Sequence, residues 1–335
     1  MNFLRDVRWL DVALKGVALL LVLTMGYLAY TVVSVQSQER RAAPASRAVD
    51  NLIAAIEQNP DDIGLRLALA EAYAAAGQPR QAIEQYNTVL ELDEDNPDAL
   101  TGLGLIAMFQ GEWQVAEDYW LAAIDALTGG PFAGLDQRLA AAYHQMGMTL
   151  LEQRRYEEAA QYLHEALRIR RSASDTHYAL SVAYREIGSE ANQRTFLQNA
   201  LMFDPAMPEA NYDYGLLLLA DGDLAGAAEH FRTSVDNAPA NRREPRDELE
   251  RLGPFDDRIS EARRLTESDP ATALYEARIA RALEPTDLEA AKLVATLYER
   301  LGETRDAMDA WQDVLDVAPG DPDATSAVER LGQQD

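Results

Sequence analysis

Glycine and proline residues recur at an interval of about 34 residues along most of the chain, which is within the range of known helical repeats. The step from Gly77 to Gly111 is the same as the step from Pro285 to Pro319. Between these breaks, apolar residues recur at i, i+3, i+4 and i+7, a spacing that predicts α-helices. A constant step between turn residues, with helical spacing inside each step, indicates stacked helix–turn–helix units rather than one large core.

The period and its residues resemble the tetratricopeptide repeat, whose pattern is W-x2-L-G-x2-Y, then A-x3-F, then P. The best match lies in residues 288–321, with Val294 and Ala295 before Tyr298, followed by Ala307 and Trp311 four residues apart. The resemblance implies an all-α fold, a right-handed superhelical solenoid of TPR helical hairpins. It also implies that the first helices of the hairpins line a concave groove for peptides.

The predicted solenoid covers residues 48–335. It begins with a half repeat at 48–62 and ends with a capping helix at 322–332. The full repeats are predicted at 63–96, 97–130, 140–173, 174–207, 208–241, 254–287 and 288–321. The 254–287 repeat is degenerate, because polar residues stand where its first helix should carry small and aromatic ones: Ser260, Glu261 and Arg264. Extra residues at 131–139 and 242–253 interrupt the period, either as hinges or as binding elements.

An apolar segment precedes the repeats. No charged residue occurs between Lys15 and Glu39, which predicts a transmembrane helix at 16–38, after an N-terminal tail (1–15) and before a linker (39–47). The alternative is a cleaved signal peptide, but its apolar region is usually only about 7–15 residues, so an uncleaved anchor is favoured. Three cationic residues flank each side of the segment and therefore do not decide its orientation.

The cellular location that we expect is a bacterial inner, or cytoplasmic, membrane. Lysine is rare and arginine abundant, which is typical of a GC-rich bacterial genome, and Lys15 and Lys292 are the two lysines of the chain. A short tail before a large C-terminal domain favours a single-pass protein whose repeats are extracytoplasmic.

The composition excludes several function classes. Asp and Glu number 56 against 30 Lys and Arg, a net charge of −26 that disfavours nucleic acid and anionic lipid surfaces. The chain has no cysteine, which excludes disulfides and thiolate metal sites. Its four histidines are scattered, and no phosphate-binding or nucleophile motif occurs. We therefore expect no enzyme activity, no catalytic or metal-binding residue and no cofactor.

The resemblance places a partner-binding groove on the outward residues of the first helices. Many of these residues are apolar, and methionine and tyrosine among them suit adaptable peptide binding. The groove residues are predicted to be Leu105, Met108, Phe109, His144, Met148, Leu151, Tyr178, Val182, Arg185, Tyr212, Leu216 and Leu219. The alternative is that superhelical curvature or the 131–139 insertion covers this strip.

The sequence thus predicts a membrane-anchored TPR scaffold or chaperone-like adaptor. Its partners would be protein or peptide clients, basic or unfolded, and the architecture is typical of accessory proteins of envelope assembly, such as cytochrome c maturation or secretion. Two alternatives remain open: a purely structural tether in a membrane complex, and the recognition subunit of an enzyme. Client identity and oligomeric state are not encoded in any motif.

Overall fold

Helices account for all the regular structure in the part of the chain that the computed structural model describes, residues 48–129, 133–239 and 241–332. Within these ranges there is no β-strand, so the predicted all-helical fold is confirmed there. The chain divides after Ala142 into two compact units. The superhelical handedness and the repeat boundaries stay predictions.

The helices are numbered in chain order. The first unit contains α1 (48–58), α2 (Ile63–Ala75), α3 (Pro79–Leu92), α4 (Pro97–Gln110), α5 (Trp113–Thr128) and a 3-10 turn (Ala133–Leu135). Helix α6 (Gln137–Glu152) crosses the division. The second unit continues with α7 (Tyr156–Ile169), α8 (Ser174–Ile187), α9 (Glu190–Phe203), α10 (Pro208–Asp221), α11 (Leu224–Asn237), α12 (Glu244–Arg251), α13 (Phe255–Leu265), α14 (Pro270–Leu283), α15 (Leu288–Leu301), α16 (Thr304–Val317) and α17 (Pro322–Leu331).

Sequence signals at the helix ends explain why the chain breaks where it does. At the start of α4, the Asn96 side chain accepts a hydrogen bond from the backbone N–H of Ala99 at 3.1 Å, and Pro97 occupies the first helical position, where no N–H is needed. At the end of α8, Gly188 has φ +80° and its N–H donates to the carbonyl of Arg185. This left-handed ending turns the chain into α9 within two residues.

Small residues in the first helix of a hairpin make room for a large side chain from the second. A Cβ added at Gly104 would lie 2.9 Å from the Trp120 ring, and one at Gly147 would lie 2.5 Å from Cγ of Leu163. Trp120 and Leu163 are both fully buried. The glycines that the repeat pattern singles out therefore allow the two helices of a hairpin to approach each other closely.

We predict that Gly147→Ala and Gly188→Ala destabilise the second unit for different reasons. The Gly147 substitution overpacks the contact with Leu163 and should cost about 1–3 kcal/mol. The Gly188 substitution meets no atom within 4 Å and costs about 1–2 kcal/mol through its positive φ alone. Urea unfolding of the full chain followed by circular dichroism measures both losses.

A double-mutant cycle separates the two causes. Adding Leu163→Ala should recover part of the Gly147→Ala loss and none of the Gly188→Ala loss. Equal coupling of Leu163 to both glycines would contradict this account of the hairpin.

An extra helix, α12, occupies the 242–253 insertion. Its eight residues are mostly charged, and Pro245 lies in its first turn. Leu249 and Leu252 are buried in a cluster with Phe231 of α11 and Ile279 of α14. An isolated helix of this length is marginal in water, so this packing supplies its stability.

The degenerate 254–287 segment still forms a hairpin of α13 and α14. Helix α13 is short, and it buries Ile259 and Ala262 while Ser260 and Arg264 face solvent. Arg258 anchors the helix by donating from Nε to the carbonyl of Leu252 at 3.0 Å and from Nη1 to Glu276 at 2.8 Å. These polar contacts add to the apolar packing of Phe255 and Ile259 in the same helix.

The predicted tail, transmembrane helix and linker (1–15, 16–38 and 39–47) lie outside the described residues. Among the helices of the described ranges, none combines the length and the apolar character that crossing a membrane requires.

Candidate peptide-binding groove

A cavity of about 720 Å³ opens in the second unit between α6, α8 and the N-terminal end of α10. Five of the predicted groove residues line it: His144, Met148, Leu151, Tyr178 and Val182. They occupy equivalent places in successive repeats, since Tyr178 follows His144 by one repeat period and Val182 follows Met148 by the same step. The repeat period therefore places these side chains on one surface.

The floor of the cavity is apolar and half-buried. Met148, Leu151 and Val182 are partly exposed along α6 and α8, and Met207 joins them from the turn before α10. Two of these four side chains are methionines, whose unbranched thioethers adapt to differently shaped apolar partners. The floor can thus bury an apolar side chain of a ligand.

Carboxylates surround this floor. The lining residues include four acids and, within the described residues, a single guanidinium, that of Arg154. The four acids are Glu152, Asp175, Glu186 and Glu209. They are not among the predicted groove residues, although their spacing is a usable signal: Glu152 and Glu186 are one repeat period apart, and so are Asp175 and Glu209.

His144 is fixed at one side of the cavity. Its Nδ1 lies 2.9 Å from the hydroxyl oxygen of Thr176 on α8. Burial lowers the pKa of His144 below its usual value, because the effect of desolvation exceeds the opposing effect of the nearby Asp175 carboxylate. The side chain is therefore neutral at pH 7 and contributes no positive charge to the cavity.

The same physical cause predicts that acid destabilises the second unit. Burial lowers the pKa values of His144, His164 and His230. Each native histidine then binds fewer protons than its unfolded counterpart, whose pKa is about 6.5. The neutral histidines therefore make their full contribution to the free energy of unfolding above that pH. This contribution is lost as the pH falls towards the lower native pKa values. Urea midpoints at pH 7.5, 6.5 and 5.5 should fall in that order.

The triple variant H144Q/H164Q/H230Q provides the control, because it removes the titrating groups. Its urea midpoint should vary less between pH 7.5 and 5.5 than that of the parent chain. A midpoint that rises on acidification in the parent chain would contradict the prediction.

Tyr178 and Arg185, both predicted groove residues, hold α8 to α10. The Tyr178 hydroxyl donates to Oδ2 of Asp213 at 3.2 Å, and Nη1 of Arg185 donates to the same oxygen at 3.0 Å. Asp213 is buried, and burial raises the pKa values of both Asp213 and Tyr178. Arg185 also contacts Glu186 at 3.2 Å. These two side chains therefore position the groove, and their polar groups are already engaged.

The predicted residues on α10 do not line the cavity. Tyr212, Leu216 and Leu219 are partly buried against a core cluster that includes Leu249 and Leu252 of the α12 segment. Arg242 also lies over the Tyr212 ring, 5.6 Å from its centroid. The 242–253 insertion thus contributes to the packing around this part of the predicted strip.

The predicted residues on α4 belong to the first unit. Leu105 is 36% exposed and Phe109 is 92% exposed, while Met108 is partly buried. They form an apolar surface of their own at the C-terminal half of α4.

The remaining histidines have structural partners. Nδ1 of His230 lies 2.8 Å from Oδ1 of Asn211, and Nε2 of His164 lies 3.0 Å from the Tyr184 hydroxyl. The Nε2–H of His177 donates to the carbonyl of Arg171 at 2.9 Å. In the described ranges no group of three or more His, Asp or Glu side chains could hold a metal ion.

Models described as tetratricopeptide repeat match three segments of the chain. One model matches residues 67–131 and 193–242, and another matches residues 139–177. Each segment carries paired helices with a contact between a glycine and a large side chain: Gly104 with Trp120, Gly147 with Leu163, and Gly215 with Phe231. These matches support the tetratricopeptide repeat family. The described fold is thus all-helical and TPR-like, and TPR domains generally bind protein or peptide partners.

Two curated relatives share sequence with this chain. Cellulose synthase operon protein C of Xanthomonas axonopodis pv. citri (strain 306) is 27% identical over 298 residues, which are 87% of this chain and 17% of that protein. BBSome complex member BBS4 of Bos taurus is 21% identical over 214 residues, which are 56% of this chain and 41% of that protein. The chain thus spans less than half the length of either relative.

Solved structures with a similar arrangement of helices include two further proteins. YrrB, described as a TPR protein with an unusual peptide-binding site, is 19% identical with a TM-score of 0.46, and the match covers 58% of this chain and 95% of that one. The pilF protein of Pseudomonas aeruginosa is 16% identical with a TM-score of 0.47, and the match covers 82% of this chain and 97% of that one.

Proposed function

We propose that the chain is a membrane-anchored TPR adaptor that holds a segment of a client protein in the cavity between α6, α8 and α10. The observation that carries the proposal is the apolar, half-buried floor of that cavity, formed by Met148, Leu151, Val182 and Met207. These four side chains border an open space of about 720 Å³, whereas Met146, Leu150 and Leu180 of the same helices are fully buried in the hairpin cores. Covering them with a ligand removes apolar surface from water, which favours association.

The remainder of the proposal follows from the sequence. Residues 16–38 anchor the chain in a bacterial inner membrane, the repeats lie on the extracytoplasmic side, and the clients belong to envelope assembly. The chain acts by binding and performs no catalysis. The relative from Xanthomonas axonopodis, which is named for a cellulose synthase operon, supports a role in a bacterial system of several proteins.

Site-specific photocrosslinking tests the groove in intact cells. The full chain carries the photoreactive residue p-benzoylphenylalanine either in place of Val182, inside the cavity, or in place of Thr195, which is exposed on α9 outside it. We expect discrete client bands at position 182 and none at position 195. Equal patterns at both positions would contradict a groove-bound client and would favour a tether that is recognised on its outer face.

Protease digestion tests separately on which side of the membrane the repeats lie. In cells whose outer barrier has been permeabilised, an extracytoplasmic repeat domain is digested while the inner membrane remains intact. Protection until that membrane is lysed would place the repeats in the cytoplasm and would overturn envelope assembly as their setting.

A further inference from the structure

We infer that the cavity between α6, α8 and α10 selects an extended client segment with an apolar centre and two cationic side chains about five residues apart. The inference rests on the proposed function, because it assigns a client chemistry to the same groove. It follows from the positions of the four lining carboxylates relative to the apolar floor.

The carboxylates form two pairs at opposite ends of the first helices. Asp175 and Glu209 are each the second residue of their helix, α8 and α10. Glu152 and Glu186 stand one repeat period apart at the C-terminal ends of α6 and α8. On α8, which carries one residue of each pair, Asp175 and Glu186 are separated by about 16 Å along the helix axis at ~1.5 Å per residue.

The apolar floor lies between the two pairs. Tyr178, Ala179 and Val182 follow Asp175 and precede Glu186 on α8, and all of them line the cavity. An extended peptide advances about 3.3 Å per residue, so a segment that follows the axis of α8 spans the ~16 Å in about five residues. Cations at both ends of such a segment reach the carboxylate pairs while the residues between them cover the floor.

The existing partners of these carboxylates do not block a client. Asp175 is 3.2 Å from Arg170 and its side chain is 51% exposed. Glu209 is 3.1 Å from Arg242 and its side chain is 43% exposed. Glu186 is 3.2 Å from Arg185 and its side chain is 39% exposed. Exposed ion pairs of this kind contribute little free energy. A client lysine can therefore share or replace the resident arginine at small cost.

The charge of the cavity lining also disfavours acidic clients, although Arg170, Arg185 and Arg242 each pair with one of the four carboxylates. Arg154 is the one cationic lining residue among those described, and neutral His144 does not add to it. The described residues belong to a chain with a net charge of −26, so an acidic segment is repelled both locally and at long range. Basic segments gain in association rate and in discrimination from the same field.

Fluorescence anisotropy of labelled peptides with the purified full chain in mild detergent tests this inference. The reference probe is fluorescein-labelled Gly-Lys-Ser-Leu-Phe-Ser-Lys-Gly, whose lysines are five residues apart. Three comparison peptides carry Glu for both lysines, Ser for Leu and Phe, or the two lysines only two residues apart. We expect binding at least 30-fold weaker for the Glu peptide and about tenfold weaker for the other two.

Matched variants of the chain assign the effect to the carboxylates. The double variant Glu152→Gln with Glu186→Gln should bind the reference peptide at least fivefold more weakly than the parent chain does. Two further peptides each carry Gln in place of one lysine. The peptide that lacks the lysine facing Glu152 and Glu186 should bind this variant and the parent chain with equal affinity. Glu91→Gln with Glu157→Gln removes the same charge at exposed positions outside the cavity and should change the affinity less than twofold.

Two results would overturn the inference. If the affinity of the Glu peptide is within threefold of that of the reference peptide, the groove recognises apolar surface alone. The proposed function then stands without selectivity for cationic clients. If no peptide binds, the client chemistry is wrong, and crosslinking at position 182 decides independently whether the groove binds proteins at all.

Discussion

Phe231→Ala should lower the free energy of unfolding of the second unit by about 3–5 kcal/mol, the range typical of large-to-small substitutions of buried aromatic residues. Phe231 is fully buried in α11, and its ring lies where a Cβ on Gly215 would be only 2.7 Å away. The ring also contacts Tyr212 and belongs to the cluster that holds α12. Its loss therefore weakens the hairpin of α10 and α11 and also the packing of α12.

Hydrogen exchange of the native full chain measures this prediction locally. Backbone amides of α10, α11 and α12 should exchange faster in the variant, while those of α2 and α3 stay unchanged, since each hairpin of a repeat array is stabilised by its neighbours. Phe109→Ala is the matched control, because Phe109 is 92% exposed and its removal should change stability by less than about 0.5 kcal/mol. Similar losses for both phenylalanines would contradict the assigned core.

The second large effect concerns binding. Leu151→Asn with Val182→Asn should weaken client binding by about 30-fold, or about 2 kcal/mol. Both side chains line the cavity and are partly exposed. The amides replace apolar surface at similar volume, so a client must bury polar groups against its own apolar side chain. Isothermal titration of the full chain with the crosslinked client, once purified, measures the loss.

Leu151→Met with Val182→Ile is the control for this variant. It keeps the floor apolar and should retain affinity within about threefold. Loss of binding in the control alone, or retention in the asparagine variant, would show that the floor does not carry the interaction.

The sequence predicted the hairpins because their signals are local and periodic. The glycine turns at Gly111, Gly188 and Gly222 all have positive φ, as helix-ending glycines at regular spacing should. Small residues such as Gly104 and Gly147 recur within the repeats in the same way, and each faces a large buried side chain. Each of these features depends on residues within one repeat, so a single sequence contains the required information.

The α12 segment could not be predicted in this way. Pro245 and the surrounding charges have no repeat counterpart, and the burial of Leu249 and Leu252 depends on packing against α11 and α14, two helices outside the insertion. Leu216 and Leu219, which a position-by-position comparison with the repeat places in the groove, pack against the same cluster. Tertiary packing of an insertion thus changed the extent of the site.

The acidic border of the cavity has a periodic signal in the sequence, but that signal is weak. Glu152 and Glu186 recur at the period of the hairpins, as do Asp175 and Glu209. In a chain with 56 acidic residues, each of them by itself resembles an ordinary solvated charge. Only their common position around the cavity floor distinguishes them from the remaining carboxylates.

Hydrogen exchange of the full chain with and without its principal co-purifying client tests most directly whether the cavity between α6, α8 and α10 binds proteins. We predict that client binding slows exchange in residues 144–152, 175–186 and 207–210 and leaves the exposed faces of α9 and α11 unchanged. Protection confined to α9 and α11, with none along α6 and α8, would contradict the groove and place recognition on the opposite helices of the hairpins.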